Sequence, residues 1–110
     1  MLDLFREISR RRAAGDTVAL ATVVDVKGST PRLPGARMIV KSDGSILGTV
    51  GGGCGENEVW LAALEVLRTG VSQMVHVDLT ADATAREDAV CGGTMEVFVE
   101  ALGPIPPFNA

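Results

Sequence analysis

Apolar and polar positions along the chain change period several times, and each change marks an element. Leu2, Phe5 and Ile8 recur at helical spacing and Gly15 supplies a stop, so Leu2 to Ala14 is predicted as an amphipathic helix. Thr17 to Val26 is β-branched and apolar on both alternating faces, the pattern of a central strand covered on two sides. Arg37 to Lys41 and Ile46 to Val50 are short strands, joined by a hairpin turn at Ser42-Asp43-Gly44-Ser45. From Glu56 to Arg68 the period returns to that of a helix, with Val59, Trp60, Ala63, Leu64 and Leu67 on one stripe. Glu56 and Glu58 suit its first turn, Arg68 its last, and Gly70 its C-terminal stop. In Ser72 to Leu79, Val75, Val77 and Leu79 face one way and Met74, His76 and Asp78 the other. A last strand, Thr94 to Leu102, turns Met95, Val97, Val99 and Ala101 inward.

Between these elements, Lys27 to Ala36 is turn chemistry throughout, Thr80 to Val90 is polar and acidic, and the tail from Gly103 is rich in proline. One helix alone connects strand groups, so a repeating doubly wound sheet is not indicated. The expectation is a single α+β domain over residues 1–102, with a mixed sheet of about five strands and two main helices, followed by a tail at 103–110. At 110 residues, 46% of them apolar, the chain has enough material for one real core. The net charge of -4 argues against nucleic acid, whose phosphates call for a basic face. Arg10-Arg11-Arg12 falls at the predicted end of the first helix, where cations complement the dipole. No secretory signal is visible behind Met1, and no apolar run approaches the ~20 residues of a membrane span. Two cysteines without a signal fit a reducing cytoplasm and free thiols.

Both cysteines sit in glycine clusters, Gly51-Gly52-Gly53-Cys54-Gly55-Glu56 and Cys91-Gly92-Gly93. Glycine runs are poor packing material, because each residue loses much backbone entropy on folding; they occur where main chain turns sharply or approaches a ligand. A glycine loop that leads into a helix presents backbone N–H groups and a positive dipole end to an anion. The spacing is neither that of a dinucleotide fingerprint nor that of a phosphate-binding P-loop, and the acidic Glu56 and Glu58 weaken a purely phosphate site. A tight turn packed under another strand is the plainer alternative. Cys54 at a helix start tends toward thiolate, the nucleophile and soft metal ligand, whereas a solitary cysteine is often core filler. Gly28-Ser29-Thr30-Pro31-Arg32 offers hydroxyl and guanidinium donors to the same anion, or is an ordinary surface turn. His76, the only histidine, suits a half-buried strand position better than a ligand role, and no Ser-His-Asp or zinc constellation can be assembled.

Taken together, ATVVDVKGSTPRLPGARMIV, DGSILGTVGGGCGENEV and CGGTMEVFVE, in that order, resemble the XdhC/CoxI family in its N-terminal domain, over roughly Leu20 to Leu102. The resemblance places Gly28, Ser29, Pro31, Arg32, Gly35 and Met38 in a first block. Gly51, Gly52, Gly53, Cys54 and Glu56 form a second, and Cys91, Gly92 and Gly93 a third. It implies a maturation factor for molybdenum hydroxylases of the xanthine dehydrogenase and carbon monoxide dehydrogenase type, a chaperone and not an enzyme with turnover. Such a factor binds the molybdenum cofactor, a molybdopterin, protects it during sulfuration and delivers it to the apo-enzyme. The pattern itself does not say which positions touch the cofactor; the site hypothesised on them is Gly28, Ser29, Arg32, Gly51, Gly52, Gly53, Cys54, Glu56, Cys91, Gly92 and Gly93, with Cys54 and Cys91 beside the molybdenum. The implied partners are the apo molybdenum hydroxylase, a separate Rossmann-like chain or a cysteine desulfurase, and a second copy of the chain. Two rivals stand beside this reading: a thiol–disulfide redox protein using Cys54 and Cys91, and an interaction half-domain without a cofactor.

Overall fold

The computed structural model describes residues 2–28, 33–50, 55–79 and 92–104. Two helices and five strands follow in the order α1 (Leu2–Ala13), β1 (Val18–Lys27), β2 (Arg37–Val40), β3 (Ile46–Gly48), α2 (Glu56–Thr69), β4 (Gln73–Asp78) and β5 (Thr94–Leu102). The fold class is α+β, as the periodicity predicts. The stretch 80–90 and the tail beyond Pro104 lie outside the described residues.

The strands form one sheet in the order β3-β2-β1-β5-β4, and every pairing is antiparallel rather than mixed. The β3–α2–β4 connection explains the difference. It joins two strands that run the same way, which reads as a parallel crossover, but they lie at opposite edges with three strands between them. β5 then enters the centre, antiparallel to both β1 and β4.

β1 is buried on two faces only along its first half. Val18 and Leu20 face α1, whose Leu4 and Ile8 pack on them one helical turn apart. Ala19, Ala21 and Val23 face α2, against Val59, Ala63 and Val66. Phe5, expected on the α1 core stripe, is 43% exposed, with the Arg37 guanidinium 5.6 Å from its ring centre. At Val24 the register slips by one residue: Val23 pairs with Val97 but Asp25 pairs with Glu96. The extra residue is a β-bulge, and it reverses which side chains face in. Without it Asp25 and Lys27 would follow Val23 into the apolar layer. With it Val26 packs there instead, and Asp25 and Lys27 stay exposed.

The inward sets expected on the last two strands hold, with Val77, Leu79, Met95, Val97 and Val99 buried. No polar side chain is buried among the described residues. Polar contacts instead tie the layers together at their rims. Trp60 Nε1 donates to the Gly44 carbonyl at 2.9 Å, fastening α2 to the β2–β3 turn. Arg12, in the basic run at the end of α1, donates to the Gly103 carbonyl at 2.7 Å. Glu7 gathers Arg11 at 2.9 Å, Arg10 at 2.8 Å and Lys41 at 3.2 Å, joining α1 to the chain just past β2. No described helix is long and apolar enough to cross a membrane.

β1 and β5 meet at their open end through bare backbone. A Cβ built on Gly93 would lie 2.0 Å from the Lys27 carbonyl oxygen and 2.9 Å from the Gly28 Cα, and its φ of +97° is already disfavoured for any side chain. Gly93→Ala is therefore expected to lose at least about 2 kcal/mol in urea unfolding, more than the left-handed backbone penalty alone. Gly15→Ala, at φ +87° with open space around it, is the control and should lose only about 1 kcal/mol. Glu7 gives a second test. Hydrogen bonds from Arg11, then Arg10 and Lys41, lower its pKa from 4.5 to about 2. A lowered carboxylate pKa adds stability above the unfolded value and loses it as pH falls through the folded one. Glu7→Gln should lower the melting temperature at pH 7, and the gap from wild type should close between pH 4.5 and about 2.

Candidate functional site

Described residues from the three sequence blocks meet at the same end of the sheet. Gly28, which opens the first block just after β1, lies with Gly93 of the third block against its backbone. Gly93 in turn accepts a hydrogen bond from the Leu79 N–H at 2.9 Å, just past the end of β4. Gly55, at the end of the second block, is buried at the start of α2. A Cβ there would sit 2.5 Å from Val77 Cγ1, 3.2 Å from Leu79 Cδ2 and 3.4 Å from Met95 Cε. Gly28, Gly93, Leu79 and Gly55 thus form one continuous line of contact from β1 across β5 and β4 to α2. Regular strands with ordinary side chains could not close up in this way, and the glycines are what the approach requires.

Of the predicted site residues, Gly28, Glu56, Gly92 and Gly93 are placed by the structure. Ser29, Arg32, Gly51, Gly52, Gly53, Cys54 and Cys91 lie outside the described residues, though each is in a stretch whose described flank meets the others at this end. Gly55 occupies the N-cap of α2 in a left-handed conformation (φ 75°) and supplies no side-chain cap, so capping falls to other groups. Glu56, in the first turn, accepts a hydrogen bond from Thr49 Oγ1 at 3.0 Å. Thr49 carries no motif in the sequence. Only the three-dimensional return of the chain from β3 to α2 brings it beside Glu56.

On the opposite face of the sheet, cross-strand register sets His76 beside Glu96 and Glu96 beside Asp25. His76 Nδ1 hydrogen-bonds the Glu96 carboxylate, which raises the imidazole pKa, with smaller contributions from Asp78 and Glu58. Contrary to the half-buried placement expected for it, His76 is exposed. His76, Glu96 and Asp25, with Lys27 and Thr94, line a small pocket of about 60 Å³. No group of three or more histidine, cysteine or acidic side chains among the described residues is arranged to hold a metal ion. A wider concavity, about 500 Å³, opens at the C-terminal end of α1 between Arg10, Arg11 and Asp16. Its arginines are already paired with Glu7 and Asp16, and no described residue of the glycine blocks lines it.

The chain is 34% identical over 105 residues to the uncharacterized protein YqeB of Escherichia coli (strain K12), covering 96% of this chain and 19% of that protein. It is 30% identical over 99 residues to the molybdenum cofactor insertion chaperone PaoD of the same organism, covering 88% and 30%. It is also 30% identical over 89 residues to a probable xanthine dehydrogenase subunit of Bacillus subtilis (strain 168), covering 79% and 27%. Among solved structures, a xanthine dehydrogenase from Bacillus halodurans superposes with a TM-score of 0.73 at 26% identity, over 87% of this chain and 29% of that one. The chain thus spans between a fifth and a third of the length of each of these proteins. Residues 11–78 match the model of the XdhC and CoxI family. With the first two glycine blocks inside that match, the chain belongs to the XdhC and CoxI family.

Proposed function

We propose that this chain is a maturation factor that holds the molybdenum cofactor at the glycine end of its sheet and helps insert it into a molybdenum hydroxylase of the xanthine dehydrogenase or carbon monoxide dehydrogenase type. The observation that carries the reading is the meeting of the flanks of all three family blocks at one sheet end, through contacts that only glycine permits. The relationship to PaoD, itself a molybdenum cofactor insertion chaperone, supports the same role. The sheet end suits a large anionic ligand in one respect, since the close packing at Gly28, Gly55 and Gly93 brings the flanks of all three blocks to one place. It is tempered in another, since Glu56 and Glu58 place negative charge in the first turn of α2.

In this reading Gly28, Ser29 and Arg32 bind the phosphate of the pterin through N–H, hydroxyl and guanidinium donors, and the Gly51–Gly53 and Gly92–Gly93 backbone receives its body. Cys54 and Cys91 stand toward the metal end, where a thiolate is a soft ligand and a shield against oxidation. The cofactor would supply the redox centre that the client enzyme uses, and this chain only carries it. Since the chain matches less than a third of its relatives' length, further protein is expected to share the work of delivery.

The test is retention of cofactor. Molybdenum cofactor released from a donor enzyme is mixed with the purified chain, and pterin and molybdenum are measured after gel filtration. Wild type should retain both stoichiometrically, while Cys54→Ala and Arg32→Ala should each retain about tenfold less at limiting ligand. Unchanged retention in both variants removes these residues from the site. A folded wild type that retains nothing, yet forms a reversible Cys54–Cys91 disulfide under mild oxidant, would favour thiol redox chemistry instead.

A further inference from the structure

We propose that Glu56 is a positioning residue: with Thr49 it ties the end of β3 to the first turn of α2, fixing both flanks of the 51–54 segment, and its carboxylate does not contact the cofactor. The inference rests on the reading of the glycine end as the cofactor site, and it reassigns one of the residues expected to bind there.

Three observations support it. Thr49 Oγ1 donates to Glu56 Oε2 at 3.0 Å, across a sequence separation of seven that spans the whole Gly-Gly-Gly-Cys run. The neighbours of that bond are pinned: Val50 is fully buried in the layer facing α2, and Gly55 is wedged against Val77, Leu79 and Met95. β3 itself is weakly held. It has three residues, lies at the sheet edge and pairs with β2 alone. A short edge strand fixes the chain that leaves it poorly, so a side-chain bond to a helix on the other side of the gap adds a restraint that the sheet lacks.

Charge points the same way. A carboxylate in the first turn of a helix is favoured by the dipole but repels an anion approaching that turn. As a ligand-binding group Glu56 would oppose the phosphate. As an acceptor for Thr49 it spends one oxygen inside the protein, and its place beside an anion site has a structural explanation. The amide of Gln offers the same acceptor oxygen without the charge, while Ala offers none. Ser in place of Thr49 keeps the donor, and Val removes it at similar size.

The experiment uses the full chain in five forms: wild type, Thr49→Val, Thr49→Ser, Glu56→Ala and Glu56→Gln. Hydrogen–deuterium exchange is read over residues 50–56, with β1 and β5 as the internal measure of global stability, and cofactor retention is measured beside it. Exchange over 50–56 should be about tenfold faster in Thr49→Val and Glu56→Ala, with β1 and β5 unchanged, and near wild type in Thr49→Ser and Glu56→Gln. Retention should fall about tenfold in the first two and hold in the second two. Unchanged exchange in both Thr49→Val and Glu56→Ala overturns the tie. Normal exchange with lost retention in Glu56→Gln makes Glu56 a direct ligand and overturns the positioning role. Faster exchange with full retention shows a tie on which the site does not depend, and also overturns it. Absence of retention by wild type defeats the cofactor reading alone; the exchange measurement still decides whether the tie exists.

Discussion

Everything at the glycine end depends on β5 lying directly against β1. The two strands share nine paired positions, from Val18 with Leu102 to Lys27 with Thr94, and they are flanked by neighbours on both sides. Their sequence separation is large, so the pairing closes a long loop and repays that entropy only when the apolar layer on α2 forms with it. Ala19, Ala21 and Val23 from β1 and Met95, Val97 and Val99 from β5 make the centre of that layer. Once the ladder is set, its last step brings Lys27 opposite Thr94, and the residues just beyond, Gly28 and Gly93, must meet. The stable centre of the sheet thereby dictates a backbone contact in which ordinary side chains have no place.

The bulge at Val24 links this packing to the polar surface. A two-residue period carried unbroken from Val23 would send Asp25 and Lys27 into the layer that holds Val97 and Met95. Burying two charges there without partners would cost far more than an unpaired backbone step. The extra residue shifts the charged pair to the face shared with His76 and Glu96 and lets Val26 finish the core. One inserted position therefore divides the sheet end into an apolar side under α2 and an ionisable side behind it.

The sequence makes the elements legible but not all of their arrangement. Alternation in β4 and β5 names the inward residues correctly, because a period of two admits only two choices and the apolar set is unambiguous. The α1 stripe is less well marked. Phe5 fits a helical spacing as well as Leu4 does, and only the packing of Ile39 and Leu20 under the helix selects Leu4 and Ile8. The antiparallel order is hidden because a helix between two strands implies a parallel neighbour, while β5, the strand that β4 pairs with, comes later in the chain. The glycine blocks stand out in the sequence because such runs are a poor choice for a regular element, and at Gly28, Gly55 and Gly93 the structure shows what they permit, a close approach of backbone. The bond between Thr49 and Glu56 is not legible, since neither residue signals a partner seven positions away until β3 and α2 are folded.

The sheet end is thus a place where stability is supplied from elsewhere. Gly28, Gly55 and Gly93 bury little apolar surface of their own, and their positive φ values are tolerated at sharp turns only because no side chain is present. The order of this end comes from three restraints that converge from outside: the β1–β5 ladder behind Gly28 and Gly93, the apolar wedge of Val77, Leu79 and Met95 around Gly55, and the side-chain bond across the second block. The role proposed above, taking up a cofactor and then releasing it, would be served by this division. A rigid sheet keeps the flanks of the three blocks in register, while contacts with the ligand itself need not contribute to folding.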